Sequence, residues 1–272
     1  MAKVFSEHNI TAVMHFAAHI EVGESVVLPH KYYHNNVVNT LVLLDAMREH
    51  GIMRFIFSST AAVYGEPQYI PIPESHSKEP INPYGASKWM VEQVLQDYSA
   101  AYGLSSVSLR YFNAAGAHPS GLLAERHNPE THIIPLLLQV AAGHRESFTQ
   151  FGDDYDTVDG SCERDFIHVV DLCKAHACAL QYLEQGGVTT AFNVGTSNAC
   201  SVAKVIEAAR CVTGCDIQVV QAKRRIGDPA RLVADATKLQ EQCMWQPEMS
   251  DLPTIIKHAW SAYSRYLEST CC

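Results

Sequence analysis

Apolar runs rich in β-branched residues alternate along this chain with segments of helical period, and that alternation admits few architectures. TAVMHFAA around residues 11 to 18, RFIFSS at 54 to 59 and SSVSLRYFN at 105 to 113 read as buried strands. A helical pattern runs from about Pro29 to His50 and is stopped by Gly51. Another begins where Pro83 suits the first helical position and ends at Gly103. The order strand, helix, strand, helix, strand predicts an α/β fold with a doubly wound, Rossmann-like parallel sheet.

A fold of this kind opens on a strand that feeds a tight glycine turn. This chain opens on KVFSEHN, which reads as the last turns of a helix. Two βα units, roughly sixty residues at ~30 each, are therefore expected ahead of Met1. The connection AAVYGEPQYIPIPESHSKEPIN, after the second strand, is long and rich in Pro and turn residues, and such loops at the carboxyl ends of parallel strands carry ligands. Beyond Asn113 the texture changes to a loop-rich stretch, then the apolar helix IIPLLLQVAAG and shorter mixed elements that include DFIHVVDLCKAHACALQYL, TTAFNVG and SVAKVIEAARCVTG. Residues 1–113 are expected to form an N-terminally truncated doubly wound domain. Residues 114–272 are expected to form a smaller mixed α/β lobe with elements returning to the sheet.

With 272 residues, 47% of them hydrophobic, the chain can bury a sizeable core. Its formal charge of −9, with both signs interspersed, offers no basic stripe for nucleic acid and no polybasic run for a membrane surface. No apolar run approaches the ~18 residues of a membrane span, and MAKVFSEHNI lacks the apolar core of a signal peptide. A cytoplasmic protein is expected. The nine cysteines are scattered and odd in number; Cys211 and Cys215 lie four apart with no companion pair, so free thiols are expected, and Cys271 and Cys272 read as an inert tail.

In INPYGASKWM, Tyr84 precedes Lys88 by four residues at a helix start, so the two share one face. A phenol is about one part in a thousand ionised at neutral pH, and a neighbouring ammonium with an oxidised nicotinamide would bring it toward the working range of a base. Alone, the pair is as compatible with a solvated surface helix. FSSTAAVYG adds hydroxyls where a strand runs into the long loop, and Thr60 is the one placed to bond the hydroxyl that Tyr84 deprotonates.

Seven ordered motifs then act together: HFAAHIEVGESV, NNVVNTLVLLDAM, FIFSSTAAVYGEP, NPYGASKWMVEQ, LRYFNAAGAHPSG, FGDDYDTVDGSCERDFIHVVDL and RRIGDPARLVAD. Over nearly the whole chain they closely resemble the UDP-glucose 4-epimerases of the extended short-chain dehydrogenase group. The resemblance implies NAD as a bound, transient oxidant and a UDP-hexose as substrate. It implies that Tyr84 is the base toward the hexose 4-hydroxyl, that Lys88 holds the nicotinamide ribose, and that Thr60 orients the hydroxyl. Phe16, Ala17 and Ala18 match the strand end beside the adenosine diphosphate; Asn35 and Phe112 complete the expected NAD contacts. Asn113, Arg164, Arg225 and Asp228 match diphosphate and ribose contacts, and Phe151 flanks the uracil. The first domain would then be a truncated dinucleotide-binding domain, the second a UDP-sugar lobe, and the helices of the first would pair two copies as a homodimer.

Two departures stand out. Ile20 occupies a position where many members carry Lys, and the GxxGxxG turn with its ribose-binding acidic residue is not found in these 272 residues. NAD is expected to bind this chain weakly or not at all for that reason. Nucleotide-sugar dehydratases place Asp and Glu after the Thr, and decarboxylating relatives a Glu before VYG; Ala61 and Ala62 argue against both. The remaining alternatives are an inactive paralogue or fragment, another nucleotide-sugar epimerase of the group, and a reading frame that continues upstream of Met1. Leu232 falls on the pocket wall by an ungapped reading, and its middling size does not select between hexose and N-acetylhexosamine.

Overall fold

The computed structural model describes residues 2–225 and 228–270, so Cys271 and Cys272 lie outside the described residues. The chain forms two compact units. The first takes residues up to Tyr111, with Lys174–Val194 and Asp235–Trp245; the second takes Phe112–Cys173, Gly195–Ala234 and the residues from Gln246 on. Segments from the second half of the chain thus contribute to both.

The first unit is built on a four-stranded sheet in the order Val13–His15, Arg54–Thr60, Ser105–Tyr111, Thr190–Val194, with every pair parallel. Phe55 to Thr60 are buried without a break, as a strand covered on both faces must be. The first strand is shorter than TAVMHFAA suggests: pairing ends at His15 opposite Phe57, and Phe16 and Ala17 emerge exposed. The two alanines that follow Phe16 have little β propensity to prolong the ladder. Ala2–Glu7 is the helix that KVFSEHN suggests.

The helical pattern from Pro29 to His50 is present, but it is not one uniform helix. Pro29–Tyr32 and Asn39–Glu49 are α-helical, a π-helical turn covers Tyr33–Val38, and Gly51 ends the run at φ 68°. The π turn holds the buried Asn36, whose amide bonds the His19 N–H (2.9 Å), the His19 carbonyl (3.0 Å) and the Ser87 hydroxyl (3.1 Å). Pro83–Tyr102 starts and stops as its sequence dictates. Asn82 caps it by accepting the Gly85 N–H at 2.9 Å, Pro83 is the first helical residue, and Gly103 closes it in the left-handed region. Leu44, Met47, Phe55, Phe57, Val91 and Leu95 form the core beneath these helices.

The long loop is ordered by its own buried residues. Ile72 is fully buried, its carbonyl accepts from the Asn193 amide (2.7 Å) and the Asp235 N–H (2.9 Å), and the Glu74 carboxylate accepts the Asn193 N–H (2.8 Å).

In the second unit the stretch expected as one strand breaks at Phe112. Asn113–Ala115 forms its own parallel pair with Phe166–His168, and the Asn113 N–H donates to the Asp165 carbonyl at 3.0 Å. Glu163–Arg164 lies between Arg231–Leu232 and Cys200–Ser201, while Phe148–Phe151 pairs with Val219–Ala222. Ile134, Leu137, Leu138, Val205, Ile206, Ile255 and Ile256 form the core of this unit. No described helix is long and apolar enough to cross a membrane. Seven cysteines among the described residues are free thiols.

Candidate active site

Thr60 is the last residue of the Arg54–Thr60 strand and caps the 3-10 turn Ala61–Tyr64, its hydroxyl accepting the Ala62 N–H at 3.1 Å. Tyr84 stands in the first turn of the Pro83–Tyr102 helix, 8% exposed, and its phenol lies near enough to the Thr60 hydroxyl for the two to interact. Gly85 is what lets that helix come so close. A Cβ on it would lie 2.5 Å from the Ala62 carbonyl oxygen, so YGASK needs its glycine for the approach of two backbones rather than for a turn.

Lys88, one turn on, is 2% exposed and donates to the Ser58 carbonyl at 2.7 Å, with its ammonium 4.8 Å from the centre of the Phe57 ring. Burial brings its pKa down to about 8, with Glu92 opposing the shift. Burial also pushes the Tyr84 phenol above its ordinary range, and the nearby Tyr111 adds to the rise; the Thr60 hydroxyl acts the other way. The phenol is therefore held neutral in the chain alone, with the Lys88 ammonium turned to the strand carbonyl. His15 is held neutral as well, lowered to about 4 by burial and by Lys88.

Beneath these groups lies a network that the motif pattern did not single out. Arg110 and Glu92 form a buried ion pair at 2.5 Å; Glu92 accepts from Ser59 (2.5 Å), Arg110 donates to the Tyr64 hydroxyl (2.9 Å), and Tyr64 donates to Asn193 (2.7 Å). It ties the Pro83–Tyr102 helix to three strands of the sheet.

The second unit carries a cavity of about 760 Å³, counting the part open to solvent, whose walls include Asn113, Phe151, Arg164 and Arg225. Arg164 is buried, donates to the Glu163 carbonyl at 2.8 Å and pairs with Asp228. Arg225 reaches the other oxygen of Asp228 at 3.3 Å and lies 4.9 Å from the centre of the Phe151 ring. One carboxylate thus holds two guanidiniums at the wall of one pocket, an arrangement suited to an oxygen-rich dianion. Leu232 sits on the strand beside Arg164, in register with it.

Residues 1–195 match the family described as NAD dependent epimerase/dehydratase. The UDP-glucose 4-epimerase of Halalkalibacterium halodurans is 49% identical over 97% of this chain and 79% of that protein. The chain belongs to this family. Its UDP-glucose 4-epimerases are also its structural likenesses. The Brucella ovis enzyme, solved in complex with NAD, has a TM-score of 0.93 at 45% identity, over 95% of this chain and 80% of that one. The Bifidobacterium longum enzyme, in complex with NAD+ and UDP, has a TM-score of 0.92 at 40% identity, over 97% and 79%.

The residues of this epimerase-family chain fit one end of NAD. The buried Lys88 ammonium has three N–H donors and, among the described residues, one hydrogen-bond acceptor, the Ser58 carbonyl, which leaves donors for the hydroxyls of a ribose. Phe16, Ala17 and Ala18 leave the sheet at a strand end with Phe16 57% exposed, and Asn35 is half-buried with its amide on Asn36. Phe112 is half-buried and belongs to the second unit. For the pyrophosphate the 272 residues hold no glycine-rich turn, and Ile20 is exposed where a cation was sought. Asn36, adjacent to the residue singled out from sequence, carries more of the local structure than Asn35 does. The doubled Asn in YYHNNVV was the available signal, but it could not say which member faces inward.

Proposed function

We propose that this chain interconverts UDP-glucose and UDP-galactose, with Tyr84 as the base and acid at the hexose 4-hydroxyl. The observation that carries the reading is the buried, interacting pair Thr60 and Tyr84 one helical turn from Lys88, followed after Thr60 by two alanines. Related dehydratases place Asp and Glu after the Thr, so Ala61 and Ala62 support a chemistry that moves one proton and one hydride.

NAD, when bound, supplies the acceptor and donor of the hydride at C4. In its ionised form Tyr84 Oη would take the proton of the 4-hydroxyl and later return it, with the Thr60 hydroxyl holding that oxygen in line. Because burial keeps the phenol neutral, ionising it for the transfer calls for positive charge, which Lys88, one helical turn on, carries while it remains protonated below about pH 8. Arg164 and Arg225 take the diphosphate, Asn113 and Asp228 its neighbouring oxygens and ribose, and Phe151 the face of the uracil. With affinity supplied by the nucleotide, the sugar stays free enough to present either face.

The same reading places the protein in galactose metabolism, in the cytoplasm and as a homodimer. The free cysteines suit a reducing compartment. Val38, Val42 and Met90 are exposed apolar residues on helices of the first unit, which suits pairing of two copies. The test is conversion of UDP-galactose to UDP-glucose by the purified chain with added NAD, read by chromatography of the nucleotide sugars. Conversion of UDP-N-acetylgalactosamine alone would move the assignment to another epimerase of the group.

A further inference from the structure

Glu125, His127 and His132 converge in the second unit, in the loop-rich stretch that leads into the Ile133–Ala141 helix. One nitrogen of each ring and one carboxylate oxygen all lie within 4.8 Å of one another. Nδ1 of His127 and Nδ1 of His132 each stand 3.7 Å from the same oxygen of Glu125, Oε2. Four ligands arranged tetrahedrally at ~2.0 to 2.1 Å from a zinc-sized ion lie roughly 3.3 Å apart. The three groups are thus already near ligand spacing, and side-chain movements of about 1 Å or less close the set.

A second carboxylate, Glu130, meets the same two ring nitrogens, more closely than Glu125 does. It is fixed by the Thr131 and His132 N–H groups (2.8 Å each), and its oxygens meet His127 Nδ1 at 3.3 Å and His132 Nδ1 at 3.1 Å. Two imidazoles, one half-buried carboxylate and a second acid alongside make a donor set for a borderline divalent ion such as Zn²⁺ or Co²⁺.

We propose that Glu125, His127 and His132 form a divalent transition-metal site with its fourth position open. Glu125 and His132 also line the cavity that holds Arg164 and Arg225, so an ion there would add positive charge to the same wall and leave its open position to water or to an oxygen of the cavity's ligand. The site rests on this geometry and does not depend on the epimerase reading.

Titration of the full chain with Co²⁺, without nucleotide, tests it through the visible d–d absorption. The account predicts one Co²⁺ per chain with nitrogen and oxygen ligation and no thiolate charge-transfer band. It predicts at least tenfold weaker binding in His127→Ala and in Glu125→Gln, with both variants retaining their circular dichroism spectra. A thiolate band would assign the metal to cysteines and overturn the proposal, as would absence of binding at millimolar Co²⁺ or an affinity in both variants unchanged from that of the unaltered chain. If a variant fails to fold, histidine ring NMR signals of the unaltered chain decide. Paramagnetic displacement confined to His127 and His132 supports the site, and displacement of other histidines instead refutes it.

Discussion

Gly85 lies against Ala62 so closely that a methyl group on it would stand 2.5 Å from the Ala62 carbonyl oxygen. That contact sets how near Tyr84, the preceding residue, comes to the hydroxyl of Thr60. Gly85→Ala must push the Pro83–Tyr102 helix away from the 3-10 turn. The expected cost is about 1 to 3 kcal/mol of stability, as for an overpacked core, and a fall in kcat of roughly a hundredfold from ångström-scale displacement of the base. Thermal unfolding and steady-state kinetics on the same preparation check both.

Lys88 costs the fold stability. Its folded pKa of about 8 lies below the 10.5 of the unfolded chain, so between these values the unfolded state holds the proton that the folded state has lost. Stability from this group therefore rises with pH from about 8 toward 10.5, and the burden is fully present below 8. Lys88→Met should raise stability at pH 7 by roughly 1 to 3 kcal/mol and remove that slope while abolishing turnover. Urea titrations at pH 7 and pH 10 check it.

His15 acts at the other end of the pH scale. Its folded pKa of about 4 lies below the 6.5 of the unfolded chain, so the unfolded state binds a proton first as pH falls. Its contribution is whole above pH 6.5 and declines down to about 4. His15→Gln should flatten that part of the stability profile, read as Tm against pH.

Arg164 has two anchors, the Glu163 carbonyl and the Asp228 carboxylate, and lysine cannot reproduce that fork. Arg164→Lys should weaken UDP binding about tenfold or more, equivalent to roughly 1.4 kcal/mol per decade. Asp228→Asn should weaken it through both guanidiniums. Calorimetric titration with UDP measures each.

The strand and helix periods made the sheet legible, and Pro83 and Gly103 marked one helix to the residue. What escaped were features set by tertiary contact. Nothing local in NNVV announces that Asn36 faces inward and bonds Ser87, because period alone does not place a π turn. Arg110 and Glu92 are a charged pair brought together only by a sheet and the helix upon it. The break at Phe112 likewise follows from Asn113 finding Phe166, a partner more than fifty residues away in the chain. The site residues were legible as a motif, but the neutral Tyr84 was not, since burial decides it.

The most direct test of the account is the conversion of UDP-galactose to UDP-glucose by the 272-residue chain with NAD supplied in excess, compared with Tyr84→Phe. The account predicts NAD-dependent conversion that falls at least a hundredfold in the variant, with UDP affinity unchanged. Conversion that persists in Tyr84→Phe, or is absent from the unaltered chain at saturating NAD and substrate, would contradict it.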